Sequence, residues 1–267
     1  MYPESCILHP ACPGEASCEA GYLASHTQHH IKYIDMSEPY DPVRRFNDRA
    51  KVYDSEVGTI IPGYTALHEA AHHVLKSSLP ENAYLLICGA GTGNDAMTFA
   101  RENPGWKITG FDIAGEMVKT ARAKIKAAGL ESRIEIIHGG IEDVLQESFD
   151  GAASILVTHF IPYGKKAAYL NDISLRLKPG AKYLTADITG ARDSGEFNEH
   201  LLAWESFQLS FREDKEEILK TIGRVREDLP ILTEDETILM LEDSDFKNVR
   251  LFWKYLMING YVAEKRG

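Results

Sequence analysis

Leu85-Leu86-Ile87-Cys88-Gly89-Ala90-Gly91-Thr92-Gly93-Asn94-Asp95 is the stretch that decides the fold. An apolar run passes straight into three glycines at alternate positions, and a helix is predicted to begin at Asp95. Glycine suits this turn because the backbone reverses sharply and must approach a ligand with no Cβ in the way. The helix start beyond it offers free N–H groups. The spacing is G-x-G-x-G. Dinucleotide folds carry G-x-G-x-x-G and seat a pyrophosphate on the helix N-terminus, and the third glycine of that pattern is replaced here by Asn94. The spacing therefore points to a nucleoside without phosphate.

Outward from this turn, short apolar runs at 83–88, 107–111, 134–138, 152–157 and 182–188 predict strands. Helical stretches at 95–102, 115–128, 141–146 and 165–177 separate them, which implies right-handed crossovers and a parallel sheet covered on both faces. Residues 193–228 read as helical, too long for a simple connection. Thr233 with Glu236 forms a capping box that starts a helix over 234–242. Two last strands, near 249–252 and 257–263, follow with no helix between them and predict an antiparallel hairpin. Upstream, helices are expected over 41–56 and 64–78, with Ile60-Ile61-Pro62-Gly63-Tyr64 as the break. The expected fold is α/β: a Rossmann-like, seven-stranded, mostly parallel sheet with helices on both faces and a helical lid. Its parts are an N-terminal extension (1–40), lid helices (41–80), a core (81–190), a helical insertion (191–230) and a closing helix with two strands (231–267).

The chain has 267 residues, 44% of them hydrophobic and 26% charged, which suffices for a buried core without staples. The net charge of -11 argues against a nucleic-acid partner, since phosphate neutralisation supplies most of that affinity. A small-molecule substrate is expected instead. No apolar run is long enough for a bilayer, and the first residues lack the order of a signal peptide, so the expected location is cytoplasmic. Cys88 is expected to be a core thiol. Cys6, Cys12 and Cys18, with His9 among them, fit no zinc spacing, and no metal site is expected.

A second element supports the glycine turn. Ile108-Thr109-Gly110-Phe111-Asp112-Ile113 is a strand ending on a carboxylate about twenty positions beyond the glycines. Placed at that edge, Asp112 accepts hydrogen bonds from both ribose hydroxyls, and Ile113 and Met117 pack on a base. As a purely structural residue Asp112 is the N-cap of the helix at Gly115. Together the two motifs resemble motif I and the acidic loop of class I S-adenosylmethionine (SAM) dependent methyltransferases, over residues 83–188. The resemblance implies SAM as cofactor and S-adenosylhomocysteine as product. It places Gly89, Gly91 and Gly93 around the methionine part, Asp112 and Ile113 at the ribose and base, and Gly140 and Ile141 at the adenine. Two positions depart from the pattern: Ile87 replaces a common acidic residue, and Gly140 replaces a common Asp, with Glu142 and Asp143 shortly after.

A narrower resemblance links Phe46 through Tyr64, Leu232 through Thr237, Phe246 and Trp253 to bacterial carboxy-SAM synthase. In that family an arginine upstream of the tail recognises an extra carboxylate, and Arg224 falls near that position. Methyl transfer needs a base only for a protonated acceptor. His159, in Val157-Thr158-His159-Phe160-Ile161-Pro162-Tyr163 after the fourth strand, is the candidate. Tyr64, Phe160, Tyr163, Trp204 and Arg224 are the candidate acceptor-binding residues. Other readings are carboxy-SAM synthesis, a SAM-binding module without catalysis, and a zinc hydrolase built on His68-Glu69-Ala70-Ala71-His72, an H-E-x-x-H pattern. The inserted helices expose apolar faces, from which a homodimer is expected.

Overall fold

Each apolar run flanked by helical sequence becomes a strand of one sheet. The computed structural model describes residues 40–145 and 148–267. The N-terminal extension, with Cys6, His9, Cys12 and Cys18, lies outside the described residues. In chain order come α1 (Pro42–Arg49), α2 (Tyr53–Ile60), α3 (Tyr64–Lys76), β1 (Tyr84–Cys88), α4 (Asn94–Glu102), β2 (Lys107–Asp112), α5 (Gly115–Ala127) and β3 (Ile134–His138). A 3-10 turn at Ile141–Asp143 leads to β4 (Phe149–Ile155), and a second at Thr158–Phe160 leads to α6 (Tyr163–Arg176) and β5 (Leu177–Ile188). Then follow α7 (Gly195–Leu209), α8 (Lys215–Glu227), α9 (Glu234–Asp243), β6 (Phe246–Tyr255) and β7 (Ile258–Lys265).

Among the described residues seven strands form a sheet in the order β3-β2-β1-β4-β5-β7-β6. The pairings among β1 to β5 are parallel, whereas β7 is antiparallel to both β5 and β6. The fold is Rossmann-like α/β, as expected, and the final hairpin closes the sheet. Strand order reverses between β1 and β4, the switch point beside which ligands settle in open α/β sheets.

The alternation of side chains along each strand builds two cores. Leu85 and Ile87 of β1 join Ile108, Ile136 and Leu184 under Leu75, Phe99 and Val118 of α3, α4 and α5. Leu86 and Cys88 join Phe111, Ala152 and Tyr183 under Leu170 and Ile173 of α6 and Leu241 of α9. A third cluster lies beyond the end of the sheet, where Phe197, Leu201 and Trp204 of α7 pack on Ile218, Ile222 and Val225 of α8 and on Leu67 of α3. Cys88 is buried and free, and desolvation pushes its thiol up to about 12.

Two expectations change. The predicted helix over 41–56 is two helices, α1 and α2, because Ala50 is drawn into a small cluster with Ala114 and Met117. The insertion is helical as read, and it divides into α7 and α8 where Asp214 caps α8 by accepting the Glu217 N–H at 3.0 Å. The stretch 141–146, expected as a helix, forms only the 3-10 turn at Ile141–Asp143 within its described part, where the Asp143 carboxylate accepts the Gly140 N–H at 2.9 Å. Among the described residues no helix is long and apolar enough to cross a membrane.

Candidate active site

At the carboxyl end of β1 the glycine turn takes the shape its sequence implies. Gly89, Gly91 and Gly93 have φ of +68°, +51° and +80°, a region costly for side chains with a Cβ. At Gly89 the reason is also steric, because a Cβ there lies 2.4 Å from Val157 Cγ2. Gly91 has open space above it, with no atom within 4 Å of where a Cβ would stand, so the centre of the turn is open on that side.

The three predicted nucleoside elements meet along this edge. Asp112 ends β2, and its carboxylate accepts the N–H groups of Gly91 and Ala114, each at 2.8 Å. It is therefore not the N-cap of α5, which is Ala114. Desolvation raises the Asp112 carboxyl above its ordinary range, and the two backbone N–H groups and His138 partly offset this. Gly139 donates its N–H to the Asp112 carbonyl at 3.0 Å, bringing the Gly140–Ile141 turn beside the carboxylate. Ile113 is half exposed and Ile141 is buried. The set fits a nucleoside without phosphate: a carboxylate for hydroxyls, an open glycine turn, and no cationic side chain hydrogen-bonded to the turn's backbone among the described residues.

Over the glycine turn lies the α1–α2 pair. Asp54 Oδ1 accepts from Thr92 Oγ1 at 2.5 Å and from Asn94 Nδ2 at 2.9 Å, while its Oδ2 takes Lys124 Nζ at 2.6 Å. Asn47 Oδ1 accepts the Glu116 N–H at 2.9 Å, tying α1 to the start of α5.

A cavity of about 100 Å³ opens between these helices, α7, α8 and the sheet edge. It brings together four predicted residues, His159, Phe160, Trp204 and Arg224, with Tyr40, Arg45, Arg49 and Tyr53, which sequence reasoning missed. Two candidates fall elsewhere. Tyr64 packs its ring on His68 at 4.2 Å and shares a hydrogen bond with Tyr53, so Tyr53 faces the cavity in its place. Tyr163 opens α6 on the solvent side and is 55% exposed.

His159 is 3% exposed, and its Nδ1 lies 2.8 Å from Asp187 Oδ1. Asp187 also accepts the His159 backbone N–H at 3.2 Å and the Thr185 hydroxyl at 2.9 Å. With Nδ1 as the donor to a carboxylate, Nε2 keeps its lone pair, the arrangement of a general base. Asp187 was legible only as an acidic residue inside an apolar strand. Across the cavity Arg224 stacks on Tyr40, 5.0 Å from its ring centre, and its Nη1 is buried with no hydrogen-bond partner among the described residues. Arg45 pairs with Glu217 at 2.9 Å, and Arg49 pairs with Glu56. The cavity is thus aromatic and cationic on one side and carries an imidazole on the other.

The H-E-x-x-H pattern divides between two neighbourhoods. His68 Nδ1 pairs with Asp95 at 2.6 Å, while buried His72 lies 3.0 Å from Asn103 and stacks on Phe99. Glu69 is exposed, and no group of three or more His, Cys, Asp or Glu placed to hold a metal occurs among the described residues.

Comparison with known proteins agrees with this geometry. A family model described as a methyltransferase domain matches residues 85–180, from the glycine turn into β5. The chain is 21% identical over 216 residues to carboxy-S-adenosyl-L-methionine synthase of Campylobacter lari, covering 81% of this chain and 92% of that protein. Among solved structures it shares the fold of an O-methyltransferase family 2 protein from Planctomyces limnophilus in complex with apigenin (TM-score 0.58, 15% identity, 86% of this chain and 63% of that one). It also shares the fold of human N-acetylserotonin methyltransferase in complex with SAM (TM-score 0.55, 19% identity, 84% and 56%). Residues 85–180 thus match a methyltransferase domain, and the chain as a whole is distantly similar to carboxy-SAM synthase and shares the fold of SAM-dependent methyltransferases.

Proposed function

We propose that this SAM-dependent methyltransferase acts on a small anionic acceptor with a protonated heteroatom, seated in the cavity between α1–α2 and α7–α8. One observation carries the proposal: His159, whose Nδ1 is held by Asp187, lines that cavity. His159 follows only two residues after Val157, which packs over Gly89. SAM, when bound, supplies a methyl group already activated on a sulfonium. The residues proposed to hold it are Gly89, Gly91, Gly93, Asp112, Ile113, Gly140 and Ile141. His159 takes the acceptor proton at Nε2, while Asp187 fixes the ring and stabilises the charge it gains. Phe160 and Trp204 form apolar walls, and Arg224 meets the acceptor's negative group with its unpaired Nη1. The helices α1–α3, α7 and α8 act as the lid that excludes water. Exposed Leu202, Leu209 and Phe211 on the α7 side support a homodimer, and a cytoplasmic location accords with the composition.

The test starts with mass spectrometry of whatever small molecule is released when the purified protein is denatured, together with calorimetric titration of SAM. Binding of SAM followed by methylation in a screen of acidic hydroxyl, amine and thiol compounds supports the reading. His159→Asn is then expected to keep SAM affinity and lose about 10²- to 10⁴-fold in turnover. No binding of SAM overturns the assignment. A second reading, synthesis of a carboxylated SAM, is favoured by the buried Nη1 of Arg224, which has no hydrogen-bond partner among the described residues, and by the relatives; a released mass heavier than SAM by one carboxylate selects it.

A further inference from the structure

Beside the His159–Asp187 pair, and not among the residues lining the acceptor cavity, lies a buried cation with no assigned role. Lys166 is 1% exposed within α6, and its Nζ donates to the carbonyl of Thr158, the residue before His159. An exposed helix face normally carries such a lysine, and this one is instead buried, within electrostatic reach of Asp187. A second, smaller cavity of about 20 Å³ is lined by Lys166, Asp187, His159, Thr158 and Thr185. That volume holds about one water molecule. Thr158 Oγ1, which faces it, is buried without a hydrogen-bond partner among the described residues.

We propose that Lys166 is a positioning residue for the base: its ammonium balances Asp187, so that the His159 ring stays free of a second proton and available to accept one. The inference rests on the reading of His159 as the base. The physical argument is charge balance in a buried place. A desolvated carboxylate draws a compensating cation or proton. With Lys166 in place the three groups reach neutrality with an uncharged imidazole. Without it, neutrality requires the extra proton to sit within the His159–Asp187 pair, and a protonated ring cannot act as a base. Lys166 also fixes the 3-10 turn that carries His159, through the Thr158 carbonyl.

The charged neighbours are few. On the small-cavity side α9 contributes Thr237, Met240 and Leu241, β5 contributes Asp187 as its charge, and Tyr169 of α6 and Tyr183 of β5, within electrostatic reach of Asp187, are kept uncharged by burial. On the acceptor side His159 shares its cavity with Arg45, Arg49 and Arg224, and the first two are already paired with Glu217 and Glu56. Burial pulls the Lys166 ammonium down to about 8, opposed by Asp187, so this cation is present at neutral pH and leaves a little above it.

The test is histidine-selective 15N nuclear magnetic resonance on the full chain, with His159 assigned by the loss of its signals in His159→Asn. At neutral pH the native ring is expected to be uncharged with its proton on Nδ1. In Lys166→Met the ring is expected to show the doubly protonated signature, and Lys166→Arg is expected to restore the uncharged one. An uncharged ring in folded Lys166→Met overturns the proposal. If that variant fails to fold, the native chain decides: the His159 signals must show an inflection near pH 8, where Lys166 loses its charge, and a titration without one overturns the proposal. Calorimetric SAM binding and the turnover of His159→Asn report on the catalytic reading separately, so failure of one is distinguishable from failure of the other.

Discussion

Replacing Gly89 with alanine tests the glycine turn most directly, because two separate penalties act there. Its φ of +68° costs a residue with a Cβ about 1–2 kcal/mol. The new methyl also falls 2.4 Å from Val157 Cγ2 and 3.2 Å from Cγ1, an overlap of the kind that costs about 1–3 kcal/mol to relieve. Gly89→Ala is therefore expected to lose about 2–5 kcal/mol of stability. Gly91→Ala isolates the backbone part, since its φ is +51° and nothing lies within 4 Å of the added Cβ. The steric part is isolated by Val157→Ala, which leaves only the Val157 Cβ at 3.4 Å, an ordinary contact. In a double-mutant cycle, Gly89→Ala combined with Val157→Ala should be more stable than the sum of the singles predicts, by about 1–3 kcal/mol. The assay is urea unfolding, with midpoints compared at constant m. Equal losses in Gly89→Ala and Gly91→Ala, or an additive cycle, would refute the claim that β4's exit is packed against this turn.

Asp54→Ala removes the contacts holding α2 on Thr92, Asn94 and Lys124. One partly buried charged hydrogen bond among them implies about 1–2 kcal/mol, so amide exchange in α1 and α2 should quicken about 5- to 30-fold, measured by hydrogen exchange; unchanged exchange means these helices are held by other contacts. Lys166 should also shape stability against pH. Its folded value of about 8 lies below the 10.5 of the free side chain, so the unfolded chain binds more protons across that interval. Its contribution is present above 10.5 and lost as pH falls through about 8. Urea midpoints should therefore rise with pH across the interval, by up to about 3 kcal/mol relative to Lys166→Met. Parallel native and variant curves would contradict this.

Much of the proposed cofactor edge was legible because it depends on local constraints. Three positive-φ glycines, a strand ending on Asp112 and a short return at Gly140 each leave a mark within a few residues. The proposed acceptor side was less legible. His159, Phe160, Trp204 and Arg224 were found as residue types near expected positions, and the cavity contains all four. Tyr64 and Tyr163 were expected on the same ground and face elsewhere, since nothing in their immediate sequence sets which side of a helix start meets the cavity. Asp187 showed only as an acidic residue inside an apolar strand, and Lys166, Tyr40, Arg45, Arg49 and Tyr53 left no usable signal, because their places come from partners far along the chain.

The same division holds for the molecule as a whole. From sequence alone come the alternating strands and helices, the glycine turn, the carboxylate after β2, the capping box at Thr233 and the closing hairpin. Period, turn chemistry and capping are local, and the chain states them directly. Only tertiary structure decided that α1 breaks at Ala50 to pack on Ala114 and Met117, that Asp187 meets His159, and that Lys166 turns inward to the Thr158 carbonyl. Those contacts join residues separated by many positions, and burial sets their charge and geometry, which no local pattern encodes.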